Sequence, residues 1–127
     1  KRDWGHAKDF VEAQWLMLQQ QKPEDFVIAT NKQYSVRDFV NEVSKNLDMK
    51  IEWKGKNLDE VGSYNGKEII KIDPKYFRPT EVETLLGDAS KAKEKLNWES
   101  KISFQQLVKE MVEKDFKLAK NETLINL

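Results

Sequence analysis

The chain has 127 residues, of which 22 are basic and 22 acidic, so its formal net charge is zero. That balance argues against a nucleic-acid binder, which usually carries a basic excess or a basic stripe. The chain contains no cysteine, which excludes disulfide frameworks and thiolate zinc sites and indicates a reducing compartment such as the cytoplasm. Its single histidine argues against a histidine-based metal site or a Ser/His triad. The length and the 39% hydrophobic content suit one modest domain.

Arginine is scarce. Only Arg2, Arg37 and Arg78 are arginine, and the remaining basic residues are lysine. Because a guanidinium binds phosphate and carboxylate groups in a planar, bidentate fork, each of these positions is a candidate for such a contact. Arg37 falls within a predicted helix and is interpreted as a surface residue.

The first part of the chain predicts two helices and a strand. Helical spacing of apolar residues predicts a helix from about Ala7 to Gln20, and the β-rich run Phe26–Thr30 predicts a buried strand. Ser35 is placed to cap a second helix. The residues expected on the apolar face of the first helix are Ala7, Phe10, Val11, Trp15 and Leu18.

The middle of the chain predicts two more strands, Ile51–Trp53 and Glu68–Asp73. Between them, Lys54–Gly66 holds three of the five glycines and is interpreted as a mobile loop. The segment Pro74–Thr84 is expected to be irregular.

Two further helices are predicted near the C-terminus. Asp88 or Ser90 is expected to cap a short helix that ends near Leu96, and Ser103 and Gln106 form a capping box for the last helix. These elements predict a small α+β fold, or part of an α/β protein, in which residues 1–120 form one region and 121–127 a frayed tail. The chain begins at Lys1 rather than at methionine, and we expect it to be part of a longer protein.

The motifs of several enzyme classes are missing. The five glycines form neither G-x-G-x-x-G nor a P-loop, and no tyrosine has a lysine four residues further on. There is no G-x-S-x-G elbow. The carboxylates are distributed as solvated helix faces, so the sequence predicts no complete catalytic site and no metal site in this chain.

Two segments carry candidate binding residues. In residues 1–6, Arg2 lies at an expected strand end, near Gly5 and just before a helix, and could present its guanidinium to a phosphate, the alternative being a surface pair with Asp3. His6 is interpreted as a helix-start residue. In residues 76–83, Pro79 holds the chain extended, so that Arg78 and Glu81 could bind phosphate and ribose hydroxyls, the alternative being a loop salt bridge.

These segments resemble the GDP-mannose 4,6-dehydratase family of the extended short-chain dehydrogenase/reductase superfamily. The resemblance covers nearly the whole chain, and its most specific parts are RDWGHAKD and FRPTEVETLLGD. It implies that this chain is a C-terminal substrate-binding region and that an upstream Rossmann domain, absent here, binds NADP. It also implies that Arg2 and Arg78 contact the diphosphate of GDP-mannose and that Glu81 lies near the guanosine ribose.

The resemblance assigns the catalytic residues and the cofactor loop to the upstream part, so no catalytic or cofactor-binding residue is expected here. The fragment alone is expected to be inactive, and the whole enzyme to be a dimer or tetramer. The family usually has glycine where this chain has Asn31 and Asn97, and asparagine can keep the left-handed conformation of both turns. The alternatives are another nucleotide-sugar dehydratase or epimerase, or a non-enzymatic α+β interaction module.

Overall fold

A computed structural model describes residues 1–78 and 84–125, with side chains through residue 121. Within these ranges the chain has an α+β structure, as the sequence predicts, and consists of four helices and one three-stranded sheet. The elements in chain order are α1 (Ala7–Leu18), α2 (Val36–Asn46), β1 (Glu52–Lys54), β2 (Val61–Tyr64), β3 (Lys67–Lys71), α3 (Ser90–Leu96) and α4 (Phe104–Ile125).

The sheet is an antiparallel meander with the order β1-β2-β3. Gly62 of β2 pairs with Trp53 on one side and with Ile70 on the other. The predicted strands Ile51–Trp53 and Glu68–Asp73 correspond to β1 and β3, and each of these begins one residue away from its expected start. Their existence is therefore confirmed.

The central strand β2 lies inside the segment 54–66, so the prediction of a mobile loop there is wrong. The segment also contains a short 3₁₀ helix, Asn57–Asp59. Asn65 and Gly66 form the β2–β3 turn with φ of 49° and 77°. An Asn-Gly pair with positive φ at both residues matches the twist of a tight hairpin, and this local signal outweighed the general association of glycine with loops.

The predicted strand Phe26–Thr30 is also wrong, because no strand in the described ranges pairs with it. Side chains of this run instead pack against the buried cluster between the helices. Ala29 is buried, while Val27 is 52% exposed. A strand forms only where a neighbouring strand pairs with it through hydrogen bonds, and the β propensity of its residues does not supply that partner.

Helix α1 is confirmed, but its buried face differs from the expected one. Ala13 is fully buried, whereas Val11 and Trp15 are each 60% exposed. A small residue lies at the contact because α1 packs against α3 through alanines. The buried cluster around this contact consists of Ala13, Ala29, Ala89, Ala92, Leu96 and Trp98.

Capping signals placed α2 and α4 correctly. The Ser35 hydroxyl accepts the Asp38 amide at 3.0 Å, and Asp38 accepts the Ser35 amide in return at 2.8 Å. At α4 the Gln106 amide donates to the Ser103 hydroxyl at 3.2 Å. Helix α4 continues to Ile125, further than predicted, and the division into a region 1–120 and a tail stays a prediction.

The N-cap position of α3 is Ala89, so neither Asp88 nor Ser90 occupies it. The Asp88 carboxylate lies one position before this N-cap and accepts a hydrogen bond from the Ser90 backbone amide at 2.9 Å. The two predicted left-handed asparagines are confirmed, with φ of 60° at Asn31 and 50° at Asn97. None of the helices in the described ranges has both the length and the apolar character that crossing a membrane requires.

Candidate functional site

The backbone of Arg2 is held by an isolated antiparallel bridge to Tyr34. The Arg2 amide donates to the Tyr34 carbonyl and the Tyr34 amide donates to the Arg2 carbonyl, each at 3.0 Å. The guanidinium of Arg2 donates through Nη1 to the Lys1 carbonyl at 2.8 Å. The expected strand end at this segment is therefore present as a single bridge.

The two residues after Arg2 bind the same neighbouring loop. The Asp3 carboxylate accepts the Thr30 amide at 2.7 Å and the Thr30 hydroxyl at 2.8 Å. The Trp4 indole donates to the Tyr34 carbonyl at 3.0 Å and stacks on Phe39 with the ring centroids 4.8 Å apart. Both carboxylate oxygens of Asp3 therefore accept hydrogen bonds from the loop that carries Thr30.

Gly5 and His6 shape the start of α1. A Cβ on Gly5 would lie 2.2 Å from Cζ of Phe10, so any side chain at this position would require the Phe10 ring to shift. His6 accepts the Lys8 amide through Nδ1 at 3.0 Å, and its Nε2 lies 3.3 Å from a Glu110 carboxylate oxygen. The interpretation of His6 as a helix-start residue is confirmed.

Arg2 lines a surface cavity of about 420 Å³. Arg2 and Asp3 form its polar part, and the remaining lining is mainly apolar. The other lining residues are Phe10, Val27, Ile28, Ala29, Leu85, Leu86 and Gly87. A guanidinium beside an apolar wall is suited to an anionic group attached to a less polar body.

Gly87 brings the segment 84–89 close to the side chains of Val27 and Ala29. A Cβ on Gly87 would lie 2.6 Å from the Ala29 Cβ, closer than two such atoms approach. Beside it, hydrogen bonds from the hydroxyl and then the amide of Ser90 lower the pKa of Asp88 below its usual range. Asp88 therefore stays ionised and anchors the start of α3.

The structure describes the second predicted segment only in part. Arg78 is exposed at the end of the first described range, and Glu81 lies in residues 79–83, outside the described ones. Leu85, seven residues after Arg78, lines the Arg2 cavity. Because seven residues span at most about 25 Å, Arg78 lies within that distance of the cavity wall. The roles of Arg2, Arg78 and Glu81 in substrate binding stay predictions.

Arg37, the third arginine, lies apart from this cavity. Its side chain is 53% exposed, pairs with Glu60 and lies 5.5 Å from the Trp53 ring centroid. It joins α2 to the sheet at the surface, as the sequence interpretation holds.

Sequence reasoning missed Gly87, which lines the cavity, and missed Thr30 and Asn31, which hydrogen-bond the segments that line it. Asn31 was noted only for its backbone conformation, yet its Oδ1 also accepts the Ala89 amide at 3.0 Å. The available signal for Gly87 was its position after two leucines, which does not distinguish a close backbone approach from a turn. Among the described residues, no group of three or more His, Cys, Asp or Glu side chains is placed to hold a metal ion.

Comparison with known proteins gives a consistent result. A family model described as GDP-mannose 4,6 dehydratase matches residues 1–111. The GDP-mannose 4,6 dehydratase of Dictyostelium discoideum is 58% identical over 123 residues, which is 95% of this chain and 35% of that protein. The Drosophila melanogaster protein of the same name is 53% identical over 126 residues, or 98% of this chain and 32% of its own length.

The human GDP-mannose 4,6 dehydratase is 55% identical over 120 residues, covering 93% of this chain and 32% of the human protein. This chain therefore spans about a third of the length of the curated relatives it matches. The match to the family model extends over most of the chain and includes both the Arg2 segment and residues 76–83. The chain belongs to the GDP-mannose 4,6-dehydratase family.

Proposed function

We propose that this chain is the substrate-binding region of a GDP-mannose 4,6-dehydratase and that it holds the GDP end of GDP-mannose. The observation that carries the proposal is the position of Arg2. The next four residues of the same motif have structural contacts. Asp3 binds Thr30, Trp4 stacks on an aromatic ring, and Gly5 and His6 form the start of α1. Arg2 lines a cavity with a largely apolar wall, and its guanidinium donates to the Lys1 carbonyl.

The chemistry of a diphosphate suits this arrangement. A guanidinium makes paired, charge-assisted hydrogen bonds to phosphate oxygens in a fixed geometry. In the proposal, Arg2 and Arg78 bind the diphosphate and Glu81 accepts hydrogen bonds from the guanosine ribose. Holding the nucleotide end fixes the position of the sugar, which lowers the entropic part of the reaction barrier.

The proposed overall reaction converts GDP-mannose to GDP-4-dehydro-6-deoxy-mannose with loss of water. In this proposal NADP would supply the hydride chemistry that the conversion requires. The glycines of this chain form no dinucleotide-binding motif, so the residues in hand do not fit that cofactor. We propose that NADP is held by an upstream Rossmann domain of the extended short-chain dehydrogenase/reductase type.

The same proposal accounts for the run Phe26–Thr30. It has strand-like composition but no strand partner in the described ranges, and a parallel sheet in the upstream domain would supply one. We propose further that the whole enzyme is a dimer or tetramer. It would act in the cytoplasm, with which the lack of cysteine is consistent.

The test is binding and turnover by the full-length enzyme that contains this chain. GDP binding is measured by calorimetry for the unaltered enzyme and for Arg2→Ala, Arg78→Ala and Glu81→Gln. Because a hydrogen bond to a charged group contributes about 1.5–3 kcal/mol, each arginine variant should bind GDP roughly 10- to 100-fold more weakly. Arg37→Ala is the matched control, since Arg37 lies on the α2–sheet contact, and it should bind GDP as the unaltered enzyme does.

A comparison of GDP-mannose with UDP- and dTDP-sugars separates this proposal from other nucleotide-sugar enzymes. Dehydration of GDP-mannose in preference to the others supports it, and preference for another nucleotide contradicts it. Unchanged GDP affinity in both Arg2→Ala and Arg78→Ala would leave a non-enzymatic interaction module as the better description. Turnover by the isolated 127-residue chain would show that the upstream domain is not needed.

A further inference from the structure

The loop of residues 30–34 contacts both walls of the Arg2 cavity. On one side Thr30 donates twice to Asp3, and Tyr34 forms the bridge with Arg2. On the other side the Ala89 amide donates to Asn31 Oδ1 at 3.0 Å, joining residues 58 positions apart. This loop is therefore a direct connection between the Arg2 segment and the segment 84–89.

Asn31 makes its contact from a constrained backbone conformation. Its φ is 60°, in the left-handed region where glycine is the residue of lowest strain. Glycine would relieve the backbone but has no side-chain oxygen to accept the Ala89 amide. Asn31→Gly is therefore expected to lower the backbone strain at this position but to remove the hydrogen bond to Ala89.

Ala89 lies close to residues that line the cavity, so its hydrogen bond to Asn31 affects the position of the cavity lining. Ala89 is buried and lies two residues after Gly87, whose backbone is pressed against Ala29. Leu85 and Leu86, just before Gly87, form part of the wall facing Arg2. Fixing Ala89 therefore fixes the distance between the Arg2 side of the cavity and the segment that follows residues 76–83.

We infer that Asn31, which stands where the family usually has glycine, is a positioning residue for the nucleotide diphosphate in this chain: its hydrogen bond to Ala89 holds the segment 84–89 to the loop that binds Arg2 and Asp3. The inference rests on the proposed function of this cavity. Asn31 does not itself contact the ligand in this scheme. It acts through the segment 84–89, which contributes Leu85, Leu86 and Gly87 to the cavity.

The experiment uses the full-length enzyme with Asn31→Gly, and Asn97→Gly as the matched control. Asn97 has nearly the same φ, 50°, but lies at the end of α3. Three quantities are measured: the Kd for GDP, the KM and kcat for GDP-mannose, and hydrogen exchange of the peptide covering 84–92. Loss of one neutral hydrogen bond predicts that Asn31→Gly raises Kd and KM about 3- to 10-fold.

The expected pattern for Asn31→Gly also includes a kcat within about twofold of the unaltered value and faster exchange at Ala89. Asn97→Gly should leave Kd, KM and that exchange unchanged. The inference is overturned if Asn31→Gly leaves the Kd for GDP unchanged or does not accelerate hydrogen exchange at Ala89. It is also overturned if Asn31→Gly lowers kcat without changing KM, or if Asn31→Gly and Asn97→Gly weaken GDP binding equally. A purely structural role would lower the unfolding midpoint without changing Kd. Failure of the proposed function itself is separate, because it appears as unchanged GDP affinity in Arg2→Ala.

Discussion

The indole of Trp98 donates a hydrogen bond to the backbone carbonyl of Asp9 at 2.9 Å, across 89 positions of sequence. Trp98 is 1% exposed, and Asp9 is itself buried in the first turn of α1. The contact joins the start of the helix that follows the Arg2 segment to the connection between α3 and α4. The orientation of α1, and with it the Arg2 segment, depends on this junction.

The Asp9 carboxylate completes the junction. One of its oxygens accepts the amides of Lys101 and Ile102 at 3.0 and 2.9 Å and the Ser100 hydroxyl at 3.1 Å. Asp9→Ala would leave these part-buried donors without an acceptor, and we expect it to lower the free energy of unfolding by about 3 kcal/mol. Urea unfolding of the full-length protein measures the change.

Two controls accompany that variant. Asp9→Asn keeps an acceptor oxygen and should cost less than Asp9→Ala. Glu113→Ala removes an exposed carboxylate from α4 and should change stability by less than about 0.5 kcal/mol. Equal effects of Asp9→Ala and Glu113→Ala would contradict the importance of the buried hydrogen bonds.

Gly87 is expected to tolerate no side chain, for steric reasons. Because a Cβ there would meet the Ala29 Cβ at 2.6 Å, Gly87→Ala should push the segment 84–89 away from residues 27–29. We expect a lower thermal unfolding midpoint and weaker GDP binding by the full-length enzyme. The double variant Gly87→Ala with Ala29→Gly removes the clashing methyl and should recover part of both losses. Additive losses in the double variant would show that the close contact is not the cause.

The capping box of α2 predicts a dependence of stability on pH. The Ser35 amide, and then its hydroxyl, hydrogen-bond the carboxylate and lower the pKa of Asp38 below its usual range. A pKa that is lower in the folded state stabilises the fold above the unfolded pKa of about 3.9, and this stabilisation is lost as the pH falls through the lower folded value. Asp38→Asn should therefore reduce stability at neutral pH and have little effect at about pH 2.

Thermal unfolding of both proteins across this range provides the measurement. The same acidic loss is expected from Glu24, whose pKa is lowered by hydrogen bonds from Lys95 and Lys91, so the Asp38→Asn variant should still lose some stability in acid. A stability difference between Asp38→Asn and the unaltered protein that is the same at both pH values would refute the assignment to ionised Asp38.

Gln33 carries a buried amide nitrogen that has no hydrogen-bond partner among the described residues. Gln33→Met keeps a side chain of similar length and removes this unsatisfied group. We expect the free energy of unfolding to stay the same or to rise by up to about 1 kcal/mol. A loss of stability greater than that amount, measured by urea unfolding, would contradict the prediction.

Local signals in the sequence determined much of the secondary structure. The Ser35 hydroxyl and the capping-box pair Ser103–Gln106 placed two helix starts correctly, because a capping side chain satisfies orphan amides of the first turn. The conformations of Asn31 and Asn97 were equally predictable, since asparagine tolerates positive φ for local reasons. The motifs RDWGHAKD and FRPTEVETLLGD indicated the family, which the comparisons confirm.

Only the tertiary structure decided which faces and segments meet. Helical spacing on α1 did not reveal that Ala13 rather than Trp15 faces the core, because the sequence does not contain the shape of the packing partner. The run Phe26–Thr30 has strand propensity, but a strand exists only where another one pairs with it. The connection from Asp3 to Thr30 and from Asn31 to Ala89 likewise joins residues far apart in sequence. The balanced charge excluded a class of partner and the scarce arginines indicated candidate positions, whereas the cavity at Arg2 depends on long-range contacts that no local pattern encodes.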